Sequence, residues 1–123
     1  MRSSRSRPPR PSSSRRLGPE AERRVRRHYR LRGYRILDAN AWAGGYELDL
    51  VVRRGRTVVF SEVKARSGPD YGDPWEAVGP RKAHRVRQAA LTWLAARPEL
   101  DGLDVAFEAV AVRGRRIERA PFD

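Results

Sequence analysis

Residues 47–64 read ELDLVVRRGRTVVFSEVK, two valine-rich runs, Glu47–Arg53 and Thr57–Ala65, separated by a short polar break. Runs of this length, rich in β-branched residues and interrupted by Gly, predict a β-hairpin. The two-residue loop that suits the break best has Gly first, which makes Gly55-Arg56 a type II′ turn. Arg54 then pairs with Thr57, and continuing the ladder sets Asp49 across from Glu62 and Glu47 across from Lys64. All four side chains then share one face. A turn at Arg54-Gly55 would instead need a positive φ at Arg54 and would oppose Glu47 to Glu62, two like charges. In the first register the two carboxylates lie about 5 Å apart at Cβ, within reach of one cation, while Leu48, Leu50 and Val63 are expected to point to the other face as core.

Such a face has two readings. Opposite charges across strands are common surface decoration, and the four residues can form a self-neutralising exposed face. Alternatively, carboxylates at this spacing hold Mg²⁺, which seeks hard oxygen ligands, activates water and neutralises phosphate charge during phosphodiester hydrolysis. A lysine beside them adds a positive group for the attacking water or the developing oxyanion. Among 27 basic residues only Lys64 and Lys82 are lysines. In a chain that otherwise uses arginine, Lys64 beside Glu62 reads as a choice of compact ammonium with a tunable pKa.

Around this hairpin the chain reads as alternating helices and strands, an α/β protein. Pro19–Arg32 is predicted helical, with Glu20 and Glu22 in its first turn and Gly33 as its stop. Tyr34–Ala39 is a short strand, Asn40–Tyr46 a loop carrying Trp42, and residues 67–73 another loop before the helix start Asp73-Pro74-Trp75-Glu76. Pro80–Arg97 is a longer helix that turns Ala83, Val86, Ala90, Trp93 and Leu94 inward and Arg81, Lys82 and Arg85 largely outward. Asp104–Arg113, Gly114 and Arg115–Arg119 form a final hairpin. His28 and His84 have no partners at ligand spacing.

Residues 1–16 contain only Met, Arg, Ser and Pro, with nothing to bury, so a disordered basic tail is expected ahead of a single domain at 17–123. The net charge is +12, and the six tail arginines leave half of it on the domain. Such an excess attracts polyanions. Arg66, Arg81, Lys82 and Arg85 are the expected contacts to a nucleic-acid backbone. The chain has no cysteine, which excludes disulfides and thiolate chemistry, and no apolar run long enough to span a membrane. It also lacks the apolar stretch of a secretory signal, so a cytoplasmic location is expected.

The ordered motifs Glu47-Leu48-Asp49-Leu50-Val51, Val59-Phe60-Ser61-Glu62-Val63-Lys64-Ala65-Arg66, Tyr71-Gly72-Asp73-Pro74-Trp75-Glu76-Ala77-Val78 and Lys82 with Ala89-Ala90 resemble the YraN-type endonuclease-like family. Gly33-Tyr34-Arg35-Ile36-Leu37 and Asn40 fit its opening, and the likeness covers roughly residues 20–112. It implies a restriction-endonuclease-like fold, a mixed β-sheet flanked by helices, related to Holliday-junction resolvases. It also implies catalytic residues Asp49, Glu62 and Lys64, with Asp49, Glu62 and Glu22 holding Mg²⁺ or Mn²⁺ and Glu47 in support. Tyr46 stands where the family usually has Gly, and Ala106-Phe107-Glu108 replaces a usual Arg-Phe-Asp.

The function these readings imply is a metal-dependent nuclease acting on DNA in preference to RNA, selective for branched or single-strand-containing structures through shape rather than base contacts. Cutting a junction needs two sites and hence a homodimer. The competing reading is a non-catalytic nucleic-acid-binding adaptor that keeps the nuclease fold, for which an intact Asp49, Glu62 and Lys64 set is unnecessary.

Overall fold

The computed structural model describes residues 18–66 and 79–122, the side chain of Arg66 excepted. The expected tail, the loop at 67–73 and the helix start at 73–76 lie outside the described residues. Within them the order is α1 (Pro19–Leu31), β1 (Arg35–Ala43), β2 (Tyr46–Arg54), β3 (Thr57–Arg66), α2 (Pro80–Ala95), a 3₁₀ turn at Pro98–Leu100, β4 (Asp104–Arg113) and β5 (Arg116–Pro121). The strands form one sheet in sequential order. Only β3 and β4 run parallel; every other neighbouring pair is antiparallel. A parallel neighbour requires a crossover connection, and α2 lies in it.

The two helices cover opposite faces of the sheet, each over its own apolar core. On the α1 side, Val25 and Tyr29 pack with Tyr34, Leu50, Val52, Val59, Val110 and Val112. On the α2 side, Val86, Ala89, Ala90 and Trp93 pack with Leu48, Val51, Val58, Phe60 and Leu100. The outcome is the mixed sheet flanked by helices that the resemblance implies, a restriction-endonuclease-like architecture. Trp93 is a core residue as expected. Its indole donates to Asp38 Oδ2 at 2.9 Å, and the Arg97 guanidinium stacks 3.8 Å above its ring.

Two sequence expectations are corrected. Asn40–Tyr46 is not a loop: β1 runs on to Ala43, and the reversal is the two-residue turn Gly44-Gly45, with φ 60° and 77°. Two successive positive φ values match the type I′ turn that continues strand twist through a hairpin. Trp42 therefore lies in β1, opposite Glu47. Gly44 also meets α2, where an added Cβ would lie 3.3 Å from the Ala89 Cα and 3.1 Å from Thr92 Oγ1. The tip of the β1–β2 hairpin is thus folded across the helix.

The second correction concerns Leu48 and Leu50, which were expected on one face. Leu50 enters the α1 core and Leu48 the α2 core, and their partners Ala39 and Ala41 divide in the same way. Between Ala39 and Ala41 sits Asn40 at φ 53°, the one described non-glycine residue with positive φ. A left-handed residue breaks the two-residue alternation of a strand. Beyond it the ribbon turns its inner face toward α2, and that turn opens the sheet where the acidic residues lie.

Candidate metal centre

The β2–β3 ladder has the register read from the turn: Arg54 pairs with Thr57, and pairing continues to Leu50 opposite Ser61. Gly55 takes φ 60° and Arg56 does not take a positive value, as a type II′ turn requires. The ladder stops after Leu50 and Ser61, one step short of Asp49 and Glu62. Continued pairing would aim the Val63 N–H at the Leu48 carbonyl. Asp49 Oδ2 accepts it instead, at 2.8 Å. From this point β2 follows β1 over α2 while β3 continues beside β4, and the two carboxylates sit in the fork.

Glu62 is 2% exposed. Its Oε1 accepts the Tyr46 hydroxyl at 2.8 Å and lies 3.6 Å from Lys82 Nζ. Its Oε2 is buried and has no hydrogen-bond partner among the described residues. Burial and then the Asp49 charge push the Glu62 carboxyl up to about 8. Burial likewise raises Asp49, against the Val63 N–H and the Lys82 and Lys64 charges, which favour its ionised form. Lys64 lies two residues beyond Glu62 and so on the same side of β3. Burial, followed by contact with Lys82, draws its amine down to about 8, and the two carboxylates oppose that shift. Asp49, Glu62 and Lys64 are therefore held where their ordinary ionised states are disfavoured, a pattern that clusters at functional sites.

The donor set fits a hard divalent cation. One carboxylate oxygen is buried without a partner beside a second carboxylate, and Mg²⁺ typically takes one or two carboxylates, leaving its other positions to water and phosphate. The remaining sequence candidates are placed as follows. Glu47 is opposite Trp42 and not cross-strand from Lys64, because the ladder has already ended; its charge still acts on Asp49. Glu22 is half-buried in the first turn of α1. It does not join the pair into a cluster of three acidic or histidine side chains, and no such cluster occurs among the described residues. Arg85 and Arg81 are exposed on α2, with Arg85 close enough for its charge to act on Tyr46. Arg66 ends β3 opposite Arg113.

Sequence reasoning named two further members of the site but missed their roles. Tyr46 supplies a hydrogen bond to Glu62, and Lys82 turns inward to the carboxylates instead of outward with its arginine neighbours. The rarity of lysine was the available signal for Lys82. Behind the site, Tyr29 joins α1 to the strand residue preceding Glu62: its hydroxyl is 2.6 Å from buried Ser61 Oγ and donates to Glu108 Oε1 at 2.8 Å. Arg119 grips both Glu108 oxygens at 2.9 and 3.0 Å. This paired network fixes β3 from the opposite face.

A stability signature follows from the raised Glu62. The folded state keeps its proton up to about pH 8, while an unfolded chain releases it near 4.5. Its contribution to stability is therefore full below 4.5 and is lost as pH rises toward 8. Glu62→Gln, which carries no charge, is expected to be more stable than wild type at pH 8 without metal and similar to it near pH 4.5. Each unit of pKa displacement corresponds to about 1.4 kcal/mol, so a gain on the order of 1 kcal/mol or more is expected. Thermal unfolding of both proteins across this range is the check. A lower melting temperature for Glu62→Gln at pH 8 would mean that the ionised carboxylate is a net stabilising partner of Lys82.

The model of UPF0102, described as an uncharacterised protein family, matches residues 21–112. The chain is 42% identical over 103 residues to UPF0102 protein Franean1_1156 of Parafrankia sp., covering 84% of this chain and 86% of that protein. It is 46% identical over 96 residues to UPF0102 protein Francci3_3586 of Frankia casuarinae, covering 78% and 80%. To UPF0102 protein YraN of Escherichia coli it is 36% identical over 111 residues, covering 89% and 85%. The matched region contains most of α1, all of α2, the fork carboxylates and both lysines, and the chain belongs to the UPF0102 family.

Proposed function

We propose that this chain is a Mg²⁺- or Mn²⁺-dependent phosphodiesterase that cuts DNA. The observation that carries this reading is the buried Glu62 with its partnerless Oε2, set beside Asp49 and Lys64 in the fork. A purely structural role would favour apolar side chains at such a position, because burying a carboxyl group with one oxygen left without a partner costs stability. Asp49 and Glu62 would hold the ion, which when bound supplies an activated water and offsets phosphate charge. Lys64 brings an amine to the same side of β3, able to hold or release a proton at Nζ near neutral pH. Arg81 and Arg85 on the exposed face of α2, with Arg66 at the end of β3, would contact backbone phosphates and orient the strand.

No element among the described residues presents a base-reading arrangement, so selectivity for branched or single-strand-containing DNA would come from shape, and cutting both strands of a junction would use a homodimer. No helix among the described residues is long and apolar enough to cross a membrane, and a cysteine-free chain suits a reducing cytoplasm.

One observation favours the adaptor reading: Glu62 Oε1 is already engaged by Tyr46 and Lys82. The test is incubation with duplex, single-stranded, flap and four-way-junction DNA in Mg²⁺, Mn²⁺ or EDTA. Cleavage of at least one substrate, abolished by EDTA, is expected. Binding to the panel without cleavage in either metal would establish the adaptor instead.

A further inference from the structure

The two lysines of this chain come from different elements and meet at one place. Lys64 is supplied by β3, and Lys82 by the first turn of α2. The Lys82 ammonium is 3.6 Å from Glu62 Oε1, acts on Asp49 as well, and touches the Lys64 amine. That separation is long beside the 2.7–2.9 Å or so of a charge-assisted hydrogen bond, so the contact is loose. The choice of residue has the same sense. An arginine would fork onto the carboxylates through fixed paired donors, whereas an ammonium is a compact, well-hydrated point charge on a flexible stem and leaves easily. The Lys82 side chain is 24% exposed against 2% for Glu62, so the cation has an open path away from the pair and the carboxylate does not.

We propose that Lys82 is the resident cation of the carboxylate pair: its ammonium holds the place of the divalent ion in the metal-free protein, is displaced from Glu62 when the ion enters, and is thereby freed for the substrate phosphate. The inference rests on the reading of the fork as a metal site. It gives Lys82 a second task beyond contact with the nucleic-acid backbone, because one side chain serves two anionic partners in turn. Metal loading and phosphate binding then favour each other, since each draws on the same displacement. The protein also keeps a counter-charge beside whichever of the two buried carboxyls is ionised before metal arrives.

With two lysines in the chain, full-length protein labelled with ¹³C-lysine gives two side-chain Cε signals, which Lys82→Arg assigns. Titration with Mg²⁺ is expected to shift the Lys82 signal and saturate. Calorimetry on Lys82→Met, which removes the competing charge while keeping a similar stem, is expected to show Mg²⁺ binding at least tenfold tighter than wild type. A Lys64 signal that shifts and saturates while Lys82 stays still overturns the proposal, and so does Lys82→Met that binds Mg²⁺ no tighter. Should Lys82→Met fail to fold, the wild-type titration decides alone. If neither lysine responds and no binding heat is found, the metal site itself is refuted and this inference with it.

Discussion

Asp49→Asn is expected to reduce DNA cleavage to background while DNA binding persists or tightens. Asparagine keeps an oxygen able to accept the Val63 N–H, so the fork can retain its geometry. What is lost is the negative charge that a divalent ion needs and that repels phosphate. The two activities should therefore separate, cleavage by at least two orders of magnitude on the scale seen when a single electrostatic group is removed from a catalytic site, and binding in the opposite direction if at all. Cleavage by gel and binding by fluorescence anisotropy, measured on one preparation, provide the comparison. Parallel loss of both would indicate that Asp49 only maintains the fold.

Lys64→Ala has the second large expected effect. Its amine is half-buried beside both carboxylates and a second lysine, and is held well below the usual lysine range. Removal should not weaken metal affinity, because an ammonium is not a metal ligand, and should slow cleavage about a hundredfold by withdrawing a group that steadies the attacking water or the developing oxyanion. Lys64→Arg should not restore the rate, since a guanidinium is larger, planar and does not give up its proton. A variant with Lys64→Ala that cuts at the wild-type rate would assign the lysine to electrostatic balance alone.

The sequence carried the hairpin register because one turn chemistry, Gly first in a two-residue loop, excludes the alternative on both backbone and charge grounds. Local rules do not extend to the fork. Its opening depends on the Asp49 side chain displacing a ladder hydrogen bond and on Asn40 taking a left-handed conformation inside a strand. Both are decided by the packing of the hairpin tip on α2. Asn40 and Gly44 looked like a loop because these residues mark turns; the Gly44-Gly45 pair is a type I′ signal that the loop reading left unused.

Lys82 was grouped with Arg81 and Arg85 by its charge, yet it stands four and seven residues before Val86 and Ala89 and so lies in line with the buried face of α2. Tyr29, Ser61, Glu108 and Arg119 were illegible as a network for a different reason. The hydrogen bond between Tyr29 and Glu108 alone spans 79 residues, and only the assembled sheet brings them together. The proposed site residues Asp49, Glu62 and Lys64 were legible because they break the apolar pattern of a valine-rich hairpin.

Calorimetric titration of the metal-free full-length protein with Mn²⁺ decides the claim that Asp49 and Glu62 together form one divalent-ion site. Wild type should bind one ion with a saturable heat, and Asp49→Asn should weaken that binding at least tenfold under the same conditions. Equal Mn²⁺ affinity in the two proteins, or no binding to wild type, would contradict the claim.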